Sequence, residues 1–304
     1  MAWVGGKKAL RDEILARFPL DYKRYIEVFG GAGWVLFHKP PGNDFEVFND
    51  FNGNLVNLYR CVREQPEKLC GELRYLLNSR LDFEYMKQML HSQAVLPDVR
   101  RAAYYYALIR YSYAAGTSTF GSQPHAMWNN FPLIEAAAVR LQKVIVENKD
   151  CVKLISQYDR PESFFYCDPP YFDAESLYAV DFPMEKHEEL HWILSQCRGY
   201  IVVSYNDCPF IRSLYGDFFI LAFRRNNPLS QKAGATYGEL IITNYDPRPY
   251  IQPQFSMFPA EIENGDLVLV HEPTCGSLRE IYLRRREHET DKNDAPAGAG
   301  GEAG

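Results

Sequence analysis

The sequence predicts an α/β fold with a mainly parallel, twisted sheet and helices on both faces. Three observations carry that expectation. Short runs rich in β-branched and aromatic residues recur along the chain, several of them closing on glycine or aspartate. Segments with apolar residues at helical spacing fall between the earlier runs, the pattern of parallel strands joined by crossover helices. The alternation lapses once, from about residue 65 to 150, where helical and loop patterns replace any strong strand signal.

The elements follow in order. RYIEVF (24–29) reads as a strand that runs into GGAG (30–33). WVLFHK (34–39) is helix-compatible and stops at Pro40-Pro41-Gly42. FEVFN (45–49) is a second strand closing on Asp50, and residues 52–64 place apolar side chains at 55, 58, 59 and 62, a helical spacing. Residues 101–132 pass from a tyrosine-rich helix into a long loop of small and polar residues. Strands resume at SFFYC (163–167), YIVVSY (200–205), FFILAF (218–223) and ELIITNY (239–245), with a helix over 184–197. The last two of these are expected to pair as an antiparallel edge. EIENGDLVLV (261–270) reads as a turn and strand of a small C-terminal appendage, 251–286. Residues 287–304, with five acids and one lysine among glycine and alanine, are expected to be a disordered tail.

Composition narrows the function classes. The 304 residues are 46% apolar and 24% charged, ordinary for a soluble globular protein. No run of about 18 apolar residues exists, so no membrane span is expected. The N-terminus shows no signal-peptide pattern. Seven scattered cysteines, none spaced C-x-x-C, argue against a disulfide framework or zinc site and fit a cytoplasmic protein. A net charge of −6 argues against non-specific coating of nucleic acid. Residues 100–143 nevertheless hold five Lys/Arg and one acid, Glu135, so a local basic patch is compatible with the sequence.

Two short stretches carry chemistry. Phe29, Gly30, Gly31, Ala32 and Gly33 lie at the carboxyl end of the first strand, where open α/β sheets bind ligands. Asp50 follows at the end of the next strand, placed to accept bonds from ribose hydroxyls. A dinucleotide fingerprint needs a third glycine where Leu36 stands, whereas an adenosyl ligand without a pyrophosphate needs no such residue. Trp3-Val4-Gly5-Gly6-Lys7 reads either as a flexible entry or as an aromatic wall and a cation near that ligand. In the second stretch, an apolar run ending in Cys167 breaks into Asp168-Pro169-Pro170-Tyr171, an abrupt and rigid strand end carrying an acid.

Together WVGGK (3–7), EVFGGAG (27–33), VFNDFNGNLVNLY (47–59) and FFYCDPPY (164–171) resemble, in order, the Dam-like (D12 class) adenine-specific DNA N6-methyltransferases. Weaker matches are RYSYAAGTSTFG (110–121) and YIVVSYNDCPFI (200–211), and the likeness covers about residues 1–245. The resemblance implies a seven-stranded, Rossmann-like sheet of the S-adenosylmethionine-dependent methyltransferases with a helical target-recognition insert. Residues 1–64 and 151–250 would be catalytic and 65–150 the insert. It implies S-adenosyl-L-methionine bound by Trp3, Lys7, Asp50 and Asp168, with Phe29 to Gly33 against it and no metal. It also implies a target adenine flipped from double-stranded DNA into the pocket of Asp168 to Tyr171.

There the carboxylate of Asp168 and the Pro169 carbonyl would accept the amino N–H bonds of adenine and free its lone pair. Tyr171 would offer a stacking face, with Tyr205, Phe172 and Phe182 as further aromatic candidates that are equally core candidates. Arg110, Tyr113, Thr117, Ser118 and Thr119 are the expected DNA contacts, whereas Tyr105 and Tyr106 read as core. The loop departs from many relatives at Ala114-Ala115-Gly116-Thr117 and has no basic residue before His125, so no recognition sequence carries over. Arg224 to Asn227 are a second place for backbone contact. A cognate restriction endonuclease, a phage or solitary setting, and a monomer fit the same reading. Action on RNA or on cytosine N4, and a DNA-binding module without catalysis, are the alternatives.

Overall fold

A computed structural model describes residues 10–42, 44–92, 95–173, 182–226, 236–248 and 268–273. The apolar runs become strands β1 (Arg24–Glu27), β2 (Phe45–Asn49), β3 (Val144–Glu147), β4 (Ser163–Cys167), β5 (Tyr200–Asn206), β6 (Phe219–Asn226), β7 (Thr236–Thr243) and β8 (Val268–His271). They form one sheet in the order β3-β2-β1-β4-β5-β7-β6-β8. The first five are parallel, and β7 enters antiparallel between β5 and β6. The described sheet thus has eight strands rather than seven, because Val268–His271 adds antiparallel to β6.

Two further expectations change. VIVE (144–147), within the stretch expected to lack strands, is the parallel edge beside β2. Residues 34–38 form successive turns rather than a regular helix. Gly33, at φ +66°, starts them in a conformation that is costly for other residues, and Pro40-Pro41 stop them.

Helices cover both faces. On one side lie α2 (Gly53–Glu64), α3 (Pro66–Arg74), α4 (Arg80–His91), α5 (Asp98–Tyr111) and α6 (Phe131–Leu141), after the short α1 (Arg11–Leu15). Their core is continuous with the sheet: Tyr25, Phe48, Phe164 and Tyr166 share it with Leu58, Phe83, Tyr105 and Ile134. On the other side α7 (Cys151–Tyr158), α8 (Met184–Ser195) and α9 (Pro209–Leu214) pack on Ile26, Val47, Phe165 and Val203. Tyr105 and Tyr106 are buried, as expected of core residues.

An ion network fastens α6 to the sheet. Arg140 donates to both carboxylate oxygens of Glu46 at 2.6 and 2.8 Å, and Lys39 Nζ lies 3.1 Å from the same group. The burial of Glu46 is outweighed by those cations, which hold its carboxyl below the usual range.

Candidate active site

The strand order reverses between β1 and β4, since β2 and β3 lie to one side and β5 to the other. Such a switch point leaves a crevice at the carboxyl ends of the strands, where ligands of open α/β sheets bind. Glu27 pairs with Tyr166 across β1 and β4 and with Phe48 across β1 and β2. The segments leaving these strands at Phe29, Asp50 and Asp168 therefore emerge side by side.

The glycine loop is shaped by its neighbours. Gly30 donates its N–H to the Asn49 carbonyl at 2.7 Å, and Gly33 donates to the Gly30 carbonyl at 2.7 Å. A Cβ on Gly30 would lie 2.2 Å from Phe48 Cζ, so glycine is required by the ring beneath it. The Tyr59 hydroxyl donates to the Gly31 carbonyl at 2.9 Å. Asp50 closes the loop: its Oδ2 accepts from the Gly31 N–H at 2.9 Å and its Oδ1 from the Asn52 N–H at 2.8 Å. Burial pushes the Asp50 carboxyl up, against the pull of those amides. Each oxygen of a carboxylate keeps further acceptor capacity after one such bond. Phe29 is half-buried and meets Phe182 edge-on at 5.7 Å between centroids, while Ala32 is buried.

Asp168 is half-buried at the first position beyond the β4–β5 pairing, and its Oδ1 accepts from Ser204 Oγ at 2.9 Å. Pro169 is buried and Pro170 half-buried. Tyr171 is buried, its ring 6.3 Å from that of Tyr205. Tyr205 and Phe182 are buried in the α8-side core, and Phe172 stacks on Phe210 at 4.4 Å. His187, fully buried among them, shares a 2.7 Å hydrogen bond with the Tyr205 hydroxyl. Asn206 Nδ2 donates to the Phe172 carbonyl at 3.0 Å, so β5 holds this loop at two points.

Glu27 is a buried carboxyl at the same crevice. It accepts from the Tyr25 hydroxyl at 2.6 Å and the Leu36 N–H at 2.9 Å. Burial raises it to about 8 in spite of those donors, and the charge of Asp168 pushes in the same direction.

A second region projects from α5. Asn52, which caps α2 through its side chain, donates from Nδ2 to the Tyr105 hydroxyl at 2.9 Å. From Tyr105 the helix advances about 9 Å along its axis to Tyr111, where a tight loop begins. Ser112 bridges Phe120, Tyr113 N–H donates to the Thr119 carbonyl at 2.8 Å, and Gly121 N–H donates to the Tyr111 carbonyl at 2.7 Å. The tip exposes Tyr113, Ser118 and Thr119, with Thr117 half-buried. Arg110 is half-buried, its Nε donating to His125 Nε2 at 3.1 Å. Burial and the Arg110 charge both push His125 down.

Sequence reasoning missed the cations at this loop. Lys87 donates to the Ser118 carbonyl at 2.8 Å, and Arg80 reaches Ser122 Oγ at 3.3 Å while covering the Phe120 ring. Both come from α4, roughly thirty to forty residues away in sequence. Ser204 and Asn206 were also missed, although polar side chains ending an apolar strand were the visible signal. Arg224 is exposed on β6. Trp3, Lys7 and Asn227 lie outside the described residues. Among the described residues no cluster of three or more metal-ligating side chains occurs, and no helix is long and apolar enough to cross a membrane.

Comparison with known proteins gives this geometry its family. The family model for D12 class N6 adenine-specific DNA methyltransferase matches residues 3–226. The chain is 24% identical over 271 residues to a type II methyltransferase, M1.LlaDCHI of Lactococcus lactis subsp. cremoris, covering 80% of this chain and 94% of that protein. It is 24% identical over 196 residues to the type II methyltransferase M.MjaIII of Methanocaldococcus jannaschii, covering 56% and 68% respectively. It is also 27% identical over 186 residues to a DNA adenine methylase of Haemophilus influenzae, covering 56% and 63%. The chain therefore belongs to the D12 class of N6 adenine-specific DNA methyltransferases, enzymes that act on double-stranded DNA with S-adenosylmethionine as methyl donor.

Proposed function

We propose that this enzyme binds S-adenosylmethionine in the β1–β4 crevice and methylates an adenine flipped out of duplex DNA against Asp168. One observation carries the assignment: the glycine loop, Asp50 and Asp168 converge at the switch point of the sheet. The donor set suits the cofactor. Asp50, held by two amides, has acceptor capacity for ribose hydroxyls, and the glycine turn lets backbone approach an adenosyl group. Trp3 and Lys7 are assigned to the same ligand from the sequence.

S-adenosylmethionine supplies an electrophilic methyl group on a sulfonium. The protein's task is to make the adenine amino group a nucleophile. Asp168 and the Pro169 carbonyl accept its two N–H bonds, drawing the nitrogen toward a tetrahedral shape. As positive charge grows on that nitrogen, the carboxylate and carbonyl dipole stabilise it, and the excess proton leaves along the hydrogen bond to Asp168. The prolines restrict the loop, so that the acceptors need little reorganisation as the methyl moves.

Flipping the base costs a few kcal/mol of unstacking. Tyr171 is assigned the stacking role; it is buried, with its ring 6.3 Å from that of Tyr205, so stacking on a flipped base requires the ring to turn outward. On the DNA side Arg110, Tyr113, Thr117, Ser118 and Thr119 of the hairpin are assigned as contacts, within a target-recognition insert assigned to 65–150, of which the last segment, β3, belongs to the sheet. Residues 1–64 and 151–250 form the catalytic part. Chemistry by these side chains needs no metal. A monomer working in the cytoplasm belongs to the same proposal, as does a partner restriction endonuclease, which the type II names of two relatives support.

The test is transfer of tritiated methyl from S-adenosylmethionine to unmethylated genomic DNA and, in parallel, to RNA, followed by nucleoside analysis. Label in N6-methyldeoxyadenosine supports the proposal. Label confined to RNA or to N4-methylcytosine overturns it.

A further inference from the structure

Ser204 lies on β5, on the same face as Val202 and Asn206, and it is fully buried. Three oxygens surround its hydroxyl: Asp168 Oδ1 at 2.9 Å, the Tyr166 hydroxyl at 3.3 Å and the Cys167 carbonyl at 3.5 Å. A hydroxyl carries one proton and two lone pairs. A carboxylate and a carbonyl can only accept, so the Ser204 proton belongs to the shorter, charge-assisted contact with Asp168.

Tyr166 is fully buried, and burial together with the Asp168 charge drives its phenol far above the usual range. It therefore keeps its proton and donates to Ser204 Oγ. The donors run in one direction, from Tyr166 on β4 through Ser204 on β5 to the acid at the end of β4.

We propose that Ser204 is a positioning residue for methyl transfer: its hydroxyl fixes the rotation of the Asp168 carboxylate, and Tyr166 holds that hydroxyl in turn. The inference rests on the reading of Asp168 as the group that accepts the adenine amine. Backbone pairing cannot do this work, because the β4–β5 ladder ends at Cys167 and Val203 and leaves Asp168 as the first residue outside it. The same strand anchors the loop again from Asn206 to the Phe172 carbonyl, so β5 acts as a template for the whole acid loop. A buried serine hydroxyl needs a partner in any case. Here that partner is the reacting acid rather than a structural carbonyl.

Steady-state kinetics separate this role from a structural one. Ser204→Ala is expected to lower kcat about 10- to 100-fold, with KM for S-adenosylmethionine and for DNA changed less than about threefold. Tyr166→Phe is expected to lower kcat about two- to fivefold, and to have no further effect in a Ser204→Ala background. An Asp168→Ala protein accompanies them.

Unchanged kcat in Ser204→Ala beside an inactive Asp168→Ala overturns the Ser204 assignment and leaves the acid's role intact. So does a loss expressed through KM alone, or independent effects of Ser204→Ala and Tyr166→Phe. Full activity in Asp168→Ala instead removes the reading on which the inference rests.

Discussion

The contact between Gly30 and Phe48 makes a quantitative prediction about how the glycine loop is built. A Cβ on residue 30 would sit 2.2 Å from Phe48 Cζ and 2.6 Å from both Cε atoms, far inside the 3.4 Å at which ordinary contact begins. The ring has little room to retreat. It is fully buried, it packs edge-on against Tyr59 at 4.7 Å, and one of its Cε atoms is also the neighbour of a Cβ on Gly33. Overpacking a dense core typically costs about 1–3 kcal/mol. The displacement would also travel, because the Tyr59 hydroxyl donates to the Gly31 carbonyl. Gly30→Ala is therefore expected to destabilise the protein by about 1–3 kcal/mol in urea unfolding. It should also weaken S-adenosylmethionine binding by calorimetry about tenfold or more, since about 1.4 kcal/mol is tenfold in affinity. Phe48→Leu should be destabilising alone, yet relieve the clash. The double variant should be more stable than the sum of the single effects predicts by at least about 1 kcal/mol. Additive effects, or a neutral Gly30→Ala, would refute the claim that Phe48 dictates the shape of the loop.

Glu27 predicts a pH dependence of stability. Its carboxyl is raised from 4.5 to about 8 in the folded protein, so the folded state retains a proton that the unfolded chain has lost, and this contribution to stability falls as pH rises between those values. Urea unfolding from pH 5 to pH 8 should show Glu27→Gln gaining on the wild type by more than about 1 kcal/mol, and a difference constant with pH would count against a raised Glu27. The cations beside the hairpin predict a salt effect. Arg80→Ala combined with Lys87→Ala should weaken binding to DNA of any sequence and reduce the slope of log affinity against log salt by about 1–2; an unaltered slope means that α4 does not meet the phosphates.

The central strands were legible because burial on both faces leaves a plain signature. FEVFN and SFFYC are apolar runs with sharp ends, and they are strands from Phe45 to Asn49 and from Ser163 to Cys167. The two edges were harder. VIVE is only four residues long at the end of a helical stretch, and VLVH alternates between exposed and half-buried positions in a segment that reads as an appendage. Around WVLFHK, residue preference favoured a helix, but Gly33 and Pro40 confine the chain to turns.

The site divided in the same way. Gly30 to Gly33, Asp50 and Asp168 stand at strand ends, and strand ends can be read from a sequence. Ser204, Arg80 and Lys87 owe their places to the β4–β5 register and to the packing of α4 on α5. Neither is written in local spacing. Arg110 was legible as a cation beside the loop, but its attachment to His125 was not.

The role of Asp168 is decided by single-turnover methyl transfer in Asp168→Ala, with DNA and S-adenosylmethionine both saturating and cofactor binding measured separately. The methylation rate is expected to fall at least about a thousandfold, a loss of about 4 kcal/mol of transition-state stabilisation, in a protein that still binds DNA and, at saturating concentration, S-adenosylmethionine. A variant that methylates adenine within about tenfold of the wild-type rate would contradict that role.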